Sequence, residues 1–169
     1  RDGKTGGFRG VFDGPGYAIK NLTISQGNGS FVGQIAEGGV FKNVVFTGAK
    51  ITSDWGAGLV SVGGIGTIEN VYAEITEMKQ GNSNADKNGV FYAQDSMSGA
   101  KVNNCIAVFN CTTPTDPTRF TGLGSYHLGY GILNGVYAIG LDSSLAIRTL
   151  SSAGAGDSYG AYAGYGALY

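Results

Sequence analysis

Short apolar runs return along the chain in a fixed form. The pattern apolar-x-Asn-apolar-x-apolar occurs at Ile19-Lys20-Asn21-Leu22-Thr23-Ile24, Phe41-Lys42-Asn43-Val44-Val45-Phe46, Ile68-Glu69-Asn70-Val71-Tyr72-Ala73 and Val102-Asn103-Asn104-Cys105-Ile106-Ala107. A fifth copy, Leu133-Asn134-Gly135-Val136-Tyr137-Ala138, carries Gly in the Asn column. A second pattern precedes each copy: Gly10-Val11-Phe12, Ser30-Phe31-Val32, Gly58-Leu59-Val60, Gly89-Val90-Phe91 and Gly122-Leu123-Gly124. The stretch from the first apolar residue of this second pattern to the Asn/Gly column hardly changes in length, running 11 to 21, 31 to 43, 59 to 70, 90 to 104 and 123 to 135. The stretch from the column to the next copy varies widely, so insertions gather on one edge of the repeat.

Both runs alternate apolar and polar residues, are rich in Val, Ile, Phe and Tyr, and are separated by Gly, which predicts short strands joined by tight turns and no helix. A repeat of roughly 20 to 34 residues with strands at constant phase predicts an all-β fold, a single-chain parallel β-helix (solenoid) of about five coils. Each coil cannot bury its inner face alone, and stacking like residues completes the core. The alternative is an all-β sandwich in which the repeat is accidental. In the solenoid, Leu22, Val44, Val71, Cys105 and Val136 form an inward column, with Ile24, Phe46, Ala73, Ala107 and Ala138 two places on. Asn and Gly tolerate positive φ best, so Asn21, Asn43, Asn70, Asn104 and Gly135 are expected at bends, in one line. Stacked Asn amides each offer a donor and an acceptor, which makes this column scaffold rather than catalyst. Residues 1–140 hold the repeats, and 141–169 read as a Gly/Tyr-rich continuation or a partial further coil.

Composition narrows the class. Of 169 residues 31 are Gly but only 3 are Pro, without a three-residue period, which excludes collagen; 42% hydrophobic content excludes a disordered linker. Charged residues make up 14% and the net charge is -1, so no basic footprint for nucleic acid exists. No apolar run approaches the roughly 18 residues of a membrane span and no signal-peptide pattern opens the chain, so membrane insertion is not expected. The start at Arg1 and the Tyr/Gly run at the end lead us to expect a piece of a longer polypeptide. Cys105 and Cys111 are too few for a disulfide framework, though one bond between them is conceivable, and a single His leaves no zinc-site spacing. No metal or cofactor is expected.

The run Phe8-Arg9-Gly10-Val11-Phe12-Asp13-Gly14-Pro15-Gly16-Tyr17-Ala18-Ile19-Lys20-Asn21-Leu22-Thr23-Ile24 resembles the opening of GLUG-type repeat proteins, in which F-x-G-x-F-D-G-x-G-x-x-I-x-N-L is followed by Gly-led and I-x-N-V strands. The likeness is strong over residues 8 to 46, fair to about 109 and weak beyond 140. It implies a right-handed β-helix and an extracellular, cell-surface or virion setting, with a scaffolding or binding role and no catalytic motif to carry over. The long insertions and the Gly-rich end depart from the pattern.

Candidate chemistry is sparse. The Gly58–Gly66 stretch lacks the Gly-Lys-Ser/Thr and helix start of a phosphate loop, and His127 has no adjacent acid. Paired carboxylates would matter for polysaccharide cleavage, with Asp54, Glu69, Glu74, Glu77, Asp86 and Asp95 as candidates. The insertions Thr47–Ala57, Thr76–Asn88 and Asn110–Thr121 form the candidate binding loops, in which Asp54, Trp55, Asp86, Arg119 and Phe120 are singled out; Trp55 and Phe120 either meet a partner or cap the core edge. Strand parity turns Val45, Tyr72, Ile106 and Tyr137 outward, and four apolar or aromatic residues in one outward column predict an interface. The competing cover for that stripe is the chain's own end, Ser158 to Tyr169. The expected role is a non-catalytic structural or attachment module of an extracellular or virion assembly. Its expected partners are further copies of itself, with a homotrimer as first guess, or another protein of that assembly, and a cell-surface glycan. The alternatives are a β-helix depolymerase or lyase, and an accessory domain of a secreted peptidase.

Overall fold

Asn21, Asn43, Asn70 and Asn104 all take a left-handed backbone, with φ of 56, 56, 53 and 52°, and Gly135 follows at 62°. A left-handed residue breaks the regular course of a strand. Asn43, Asn70, Asn104 and Gly135 each turn the chain through a corner from one sheet to the next. Asn21 instead lies between Ala18–Lys20 and Thr23–Ile24, which both pair with Val45–Ile51, and so marks an irregularity within one side. The computed structural model describes residues 6–79, 88–93, 100–112, 132–140 and 166–168, and these contain strands and turns but no helix. The strands are β1 Val11–Asp13, β2 Ala18–Lys20, β3 Thr23–Ile24, β4 Gln34–Ile35, β5 Val40–Lys42, β6 Val45–Ile51, β7 Gly63–Gly64, β8 Thr67–Glu69, β9 Tyr72–Met78, β10 Lys101–Asn103, β11 Ile106–Phe109, β12 Ile132–Asn134, β13 Tyr137–Ile139 and β14 Gly166–Leu168.

Their pairings are all parallel, and the strands stack as the sides of a β-solenoid. One side is the five-stranded sheet β1-β5-β8-β10-β12; the second is the seven-stranded sheet, running β14-β13-β11-β9-β6-β2 with β3 also on β6; the third is β4-β7. Isolated bridges Gly58↔Gly89 and Ser61↔Tyr92 pair further segments in parallel between neighbouring turns. From β1 to β5 the register advances 29 residues (40 − 11), from β5 to β8 27 (67 − 40), and from β8 to β10 34 (101 − 67). Five stacked strands bound four turns, and most of the last runs through residues 113–131, outside the described set. The described chain therefore closes about three turns, fewer than the five coils expected from the repeat.

The core follows from the register. Phe41, Ile68 and Val102 stack in line and are fully buried, as are Phe46, Ala73, Ala107 and Ala138 one corner later. Val44, Val71, Cys105 and Val136 fill the inward position beside the Asn/Gly column. Phe46 and Ala73 share one column, so the end nearer β1 is aromatic, with Phe12 stacked on Phe41 at 5.0 Å and Phe31 set edge-on to Phe12, Phe41 and Phe46. Each buried Phe stabilises the stack by roughly 1.5 to 3 kcal/mol of transfer free energy.

Two expectations are corrected. The first repeat copy is displaced by one side of the coil: Val11, Phe12 and Asp13 pair with Val40, Phe41 and Lys42, so the Gly-led run Gly10-Val11-Phe12 lies in the Asn-strand sheet. Asn21 accordingly leaves the line of Asn43, Asn70 and Asn104, because Ile19 pairs with Phe46 and Lys20 with Thr47, which sets Asn21 over Gly48. Leu22 is likewise half-buried at the margin of the core, and Ile24 pairs with Ile51 instead of aligning with Phe46. The other correction concerns the insertions. Thr47–Ile51 and Thr76–Met78 are strand, not loop, since Ala49, Ile51, Ile75 and Met78 turn inward and lengthen β6 and β9 to seven residues each.

The lengthening is not smooth. Between Phe46/Ala73 and Ala49/Ile75 the register shifts, so that β6 bulges at Gly48, whose φ of 65° suits Gly. A bulge leaves an amide outside the ladder, and here the Glu74 carboxylate accepts the Gly48 N–H at 3.3 Å. A second shift follows at once, where the Thr76 hydroxyl donates to the Ala49 carbonyl at 3.3 Å. Side chains thus repair what the irregular ladder leaves open.

Candidate functional site

The Asn line is partly hydrogen-bonded from side chain to side chain. Asn70 Nδ2 donates to Asn43 Oδ1 at 3.0 Å, and Asn43 Nδ2 donates to Asp13 Oδ1 at 2.8 Å. Asp13 thus terminates the line, where Asn21 had been expected, and Lys42 pairs with it at 3.3 Å. The Asn43 amide, then Lys42, hold the Asp13 carboxyl below its ordinary value of 3.8. At the other end Asn104 lies in register with Asn70 and Gly135, and its Oδ1 lies where a Cβ on Gly135 would meet it.

On the outer face of the seven-stranded sheet, Val45 pairs with Tyr72, Tyr72 with Ile106, and Ile106 with Tyr137. The four residues of the predicted stripe therefore form a single in-register column. Val45 and Tyr72 are each 37% exposed, and Ile106 and Tyr137 are half-buried. Two residues on, Glu74, Val108 and Ile139 form a second column, apolar except for Glu74. β14 extends the same sheet beyond β13, placing Gly166 next to Tyr137 in register.

Trp55 sits on the segment joining β6 to Ala57. It is 61% exposed, so it does not cap the core. The backbone around it is tied from both neighbouring turns: Asn28 N donates to the carbonyls of Trp55 (2.9 Å) and Gly56 (2.8 Å), and Trp55 N donates to the Ser53 hydroxyl (3.0 Å). From the other side, fully buried Asn88 donates to the carbonyls of Ser53 (2.8 Å) and Lys79 (2.6 Å) and accepts the Ala57 N–H (2.7 Å). Asp54 forms an ion pair with Lys79. Of the other loop candidates, Asp86, Arg119 and Phe120 lie outside the described residues, as do Asp95 and His127.

The described candidate acids Asp54, Glu69, Glu74 and Glu77 are each engaged. Asp54 pairs with Lys79 and Glu77 with Lys50; Glu69 accepts from Asn70 Nδ2; Glu74 accepts the Gly48 N–H on one oxygen and Asn110 Nδ2 on the other, the latter at 2.9 Å. Among the described residues no group of three or more His, Cys, Asp or Glu is placed to hold a metal ion. Both cysteines are free thiols. Cys105 is fully buried, and desolvation pushes its thiol up to about 12; Cys111 is shifted up as well, again by burial first.

The structure gives Asn88 and Glu74 roles that the sequence did not assign to them. Asn88 stands two residues before the conserved-phase Val90, and a lone Asn flanking a Gly-led apolar run is a weak signal of a buried clamp. Glu74 was weighed only as an acid, although Gly48 within an otherwise alternating strand is the pattern of a bulge needing such a partner. Comparison of the chain with family models, with curated proteins and with solved structures finds no match in any of the three.

Proposed function

We propose that the chain is a non-catalytic structural and attachment module of an extracellular or virion assembly, a fibre, decoration or adhesin, and that it associates with further copies of itself through the outer face of its seven-stranded sheet. The observation that carries this is the in-register column Val45, Tyr72, Ile106, Tyr137. A solvated sheet face ordinarily carries polar residues at such positions, and a contiguous apolar stripe favours a partner. The neighbouring column supports the same face, since Val108 and Ile139 widen the stripe. The extracellular setting draws on the likeness of residues 8–24 to GLUG-type repeats and belongs to the proposal. The engagement of Asp54, Glu69, Glu74 and Glu77 by cations and amides also favours scaffold over hydrolase.

Sedimentation velocity over a wide concentration range tests it. The wild-type chain is expected to associate, and Tyr72→Ser with Tyr137→Ser to remain a monomer with an unchanged β-rich circular dichroism spectrum. A wild-type chain that stays monomeric throughout would refute self-association.

A further inference from the structure

We infer that Trp55, with its flanking polar residues, forms a stacking subsite for one ring of a neutral pyranose glycan. The inference gives the attachment role a ligand class and rests on that role for its biological sense, but uses a different surface from the apolar stripe. The starting point is a mismatch between backbone and side chain. Four hydrogen bonds fix the Ser53–Ala57 segment from above and below (Asn28 N to two carbonyls, Asn88 to Ser53 and Ala57), a fifth ties Trp55 N to Ser53, and the Asp54–Lys79 pair adds an ion contact. The indole contributes little to that order, being 61% exposed. An element held this firmly while its largest apolar ring faces water is already organised for a ligand, so binding need not order the loop. Gly27 fits the same picture: a Cβ there would strike Trp55 Cβ, so the absence of a side chain lets the neighbouring turn pack against the base of the ring.

The surroundings select the ligand. The core of a protein–protein interface is depleted of charged residues. Trp55 instead follows Asp54, whose carboxylate pairs with Lys79, these side chains being 42% and 52% exposed, and exposed Gln26 and Asn28 flank the Gly27 that meets its Cβ. A pyranose has one face of C–H groups, which lies well on the electron-rich face of an aromatic ring, and a rim of hydroxyls that both donate and accept. An exposed indole on a segment that also carries a carboxylate–ammonium pair, with exposed amide residues on the neighbouring turn, matches that combination. The carboxylate and the ammonium balance in charge, which favours a neutral sugar over a uronic or sialic acid.

Trp55 is the only Trp of the chain, so indole emission excited to the red of tyrosine absorption reports on this subsite alone. The full 169-residue chain is titrated with cellohexaose, chitohexaose and maltohexaose, in parallel with Trp55→Ala and Trp55→Phe followed by NMR chemical shifts. A saturable emission shift is expected with at least one of the sugars. Trp55→Ala should weaken that sugar about tenfold or more, the usual worth of one stacked ring, and Trp55→Phe by less. Both variants should keep the wild-type melting temperature and the wild-type sedimentation behaviour, which separates this site from the stripe; should Trp55→Ala fail to fold, the Trp55→Phe loss decides. No saturable change with any of the three sugars, or undiminished binding by the variants, overturns the inference. So does an emission shift produced by raising protein concentration without sugar, which would place Trp55 in a protein contact.

Discussion

At the scale of single residues, the corners of the solenoid depend on one conformational preference and one hydrogen-bond chain. Replacing Asn70 by Leu forces a branched aliphatic residue to φ 53° and deprives Asn43 of its donor, so a loss of roughly 1 to 3 kcal/mol is expected in thermal or urea unfolding. Asn70→Gly keeps the bend and loses only the amide contact, and should fall between Leu and wild type. Equal stability of all three would show that the corner does not need Asn. Cys105 offers a second test. Its thiol pKa is raised in the folded state to about 12 against an ordinary 9.0, so the folded chain holds its proton more tightly than the unfolded one. Stability from this group is therefore complete below about pH 9 and falls as pH rises from there towards 12. Cys105→Val, which matches Val44, Val71 and Val136 in the column, should fold as well and show a shallower alkaline loss; alkylation of native Cys105 should be slow against that of the unfolded chain. The left-handed Asn positions and the buried Cys were legible because they rest on residue type and phase alone.

At the scale of elements, phase itself was the weak point. Anchoring every copy on apolar-x-Asn placed Asn21 with Asn43, yet the strands pair Val11-Phe12-Asp13 with Val40-Phe41-Lys42 and Ala18-Ile19-Lys20 with Val45-Phe46-Thr47. The chain carried that register too, since Val-Phe-charged repeats at both places, but the single Asn outweighed it. The lengthening of β6 and β9 was hidden for a different reason: a bulge breaks the period of two, so the alternation in the sequence ends at Gly48. Asn88 is the element-scale counterpart of the Asn line, a buried side chain that ties Ser53 and Ala57 in one turn to Lys79 in the next. Asn88→Ala leaves an amide and two carbonyls without that partner, for an expected cost of roughly 2 to 4 kcal/mol. Hydrogen exchange at Ala57 N–H should speed up in the same variant, whereas unaltered exchange would mean that the clamp is redundant. Asp13 works at the end of β1, and the sign of its contribution follows from its lowered pKa: stability is present above the ordinary 3.8 and fades as pH falls below it. Asp13→Asn should flatten that acid limb, and an unchanged limb would deny the Asn43 contact a part in it.

At the scale of the whole molecule, stacking turns local choices into long columns. One outward residue per turn matters little alone; aligned with its equivalents it becomes a stripe running along the solenoid. Parity and repeat make the stripe Val45, Tyr72, Ile106, Tyr137 legible in the sequence, because the displaced first copy contributes none of its members. The Trp55 surface was legible only as an insertion with a prominent residue, since the hydrogen bonds that fix it come from Asn28 and Asn88 in other turns. The stripe and the Trp55 segment belong to the same stack of parallel strands and to different parts of its surface. Association through the stripe is the central claim, and tyrosine labelling tests it residue by residue. Tyr17, 81% exposed, supplies an internal reference for open water, against which Tyr72 and Tyr137 are compared as protein concentration is raised. Protection of Tyr72 and Tyr137 that grows with concentration while Tyr17 remains fully labelled is the predicted result, and labelling ratios among the three that stay constant from dilute to concentrated solution would contradict it.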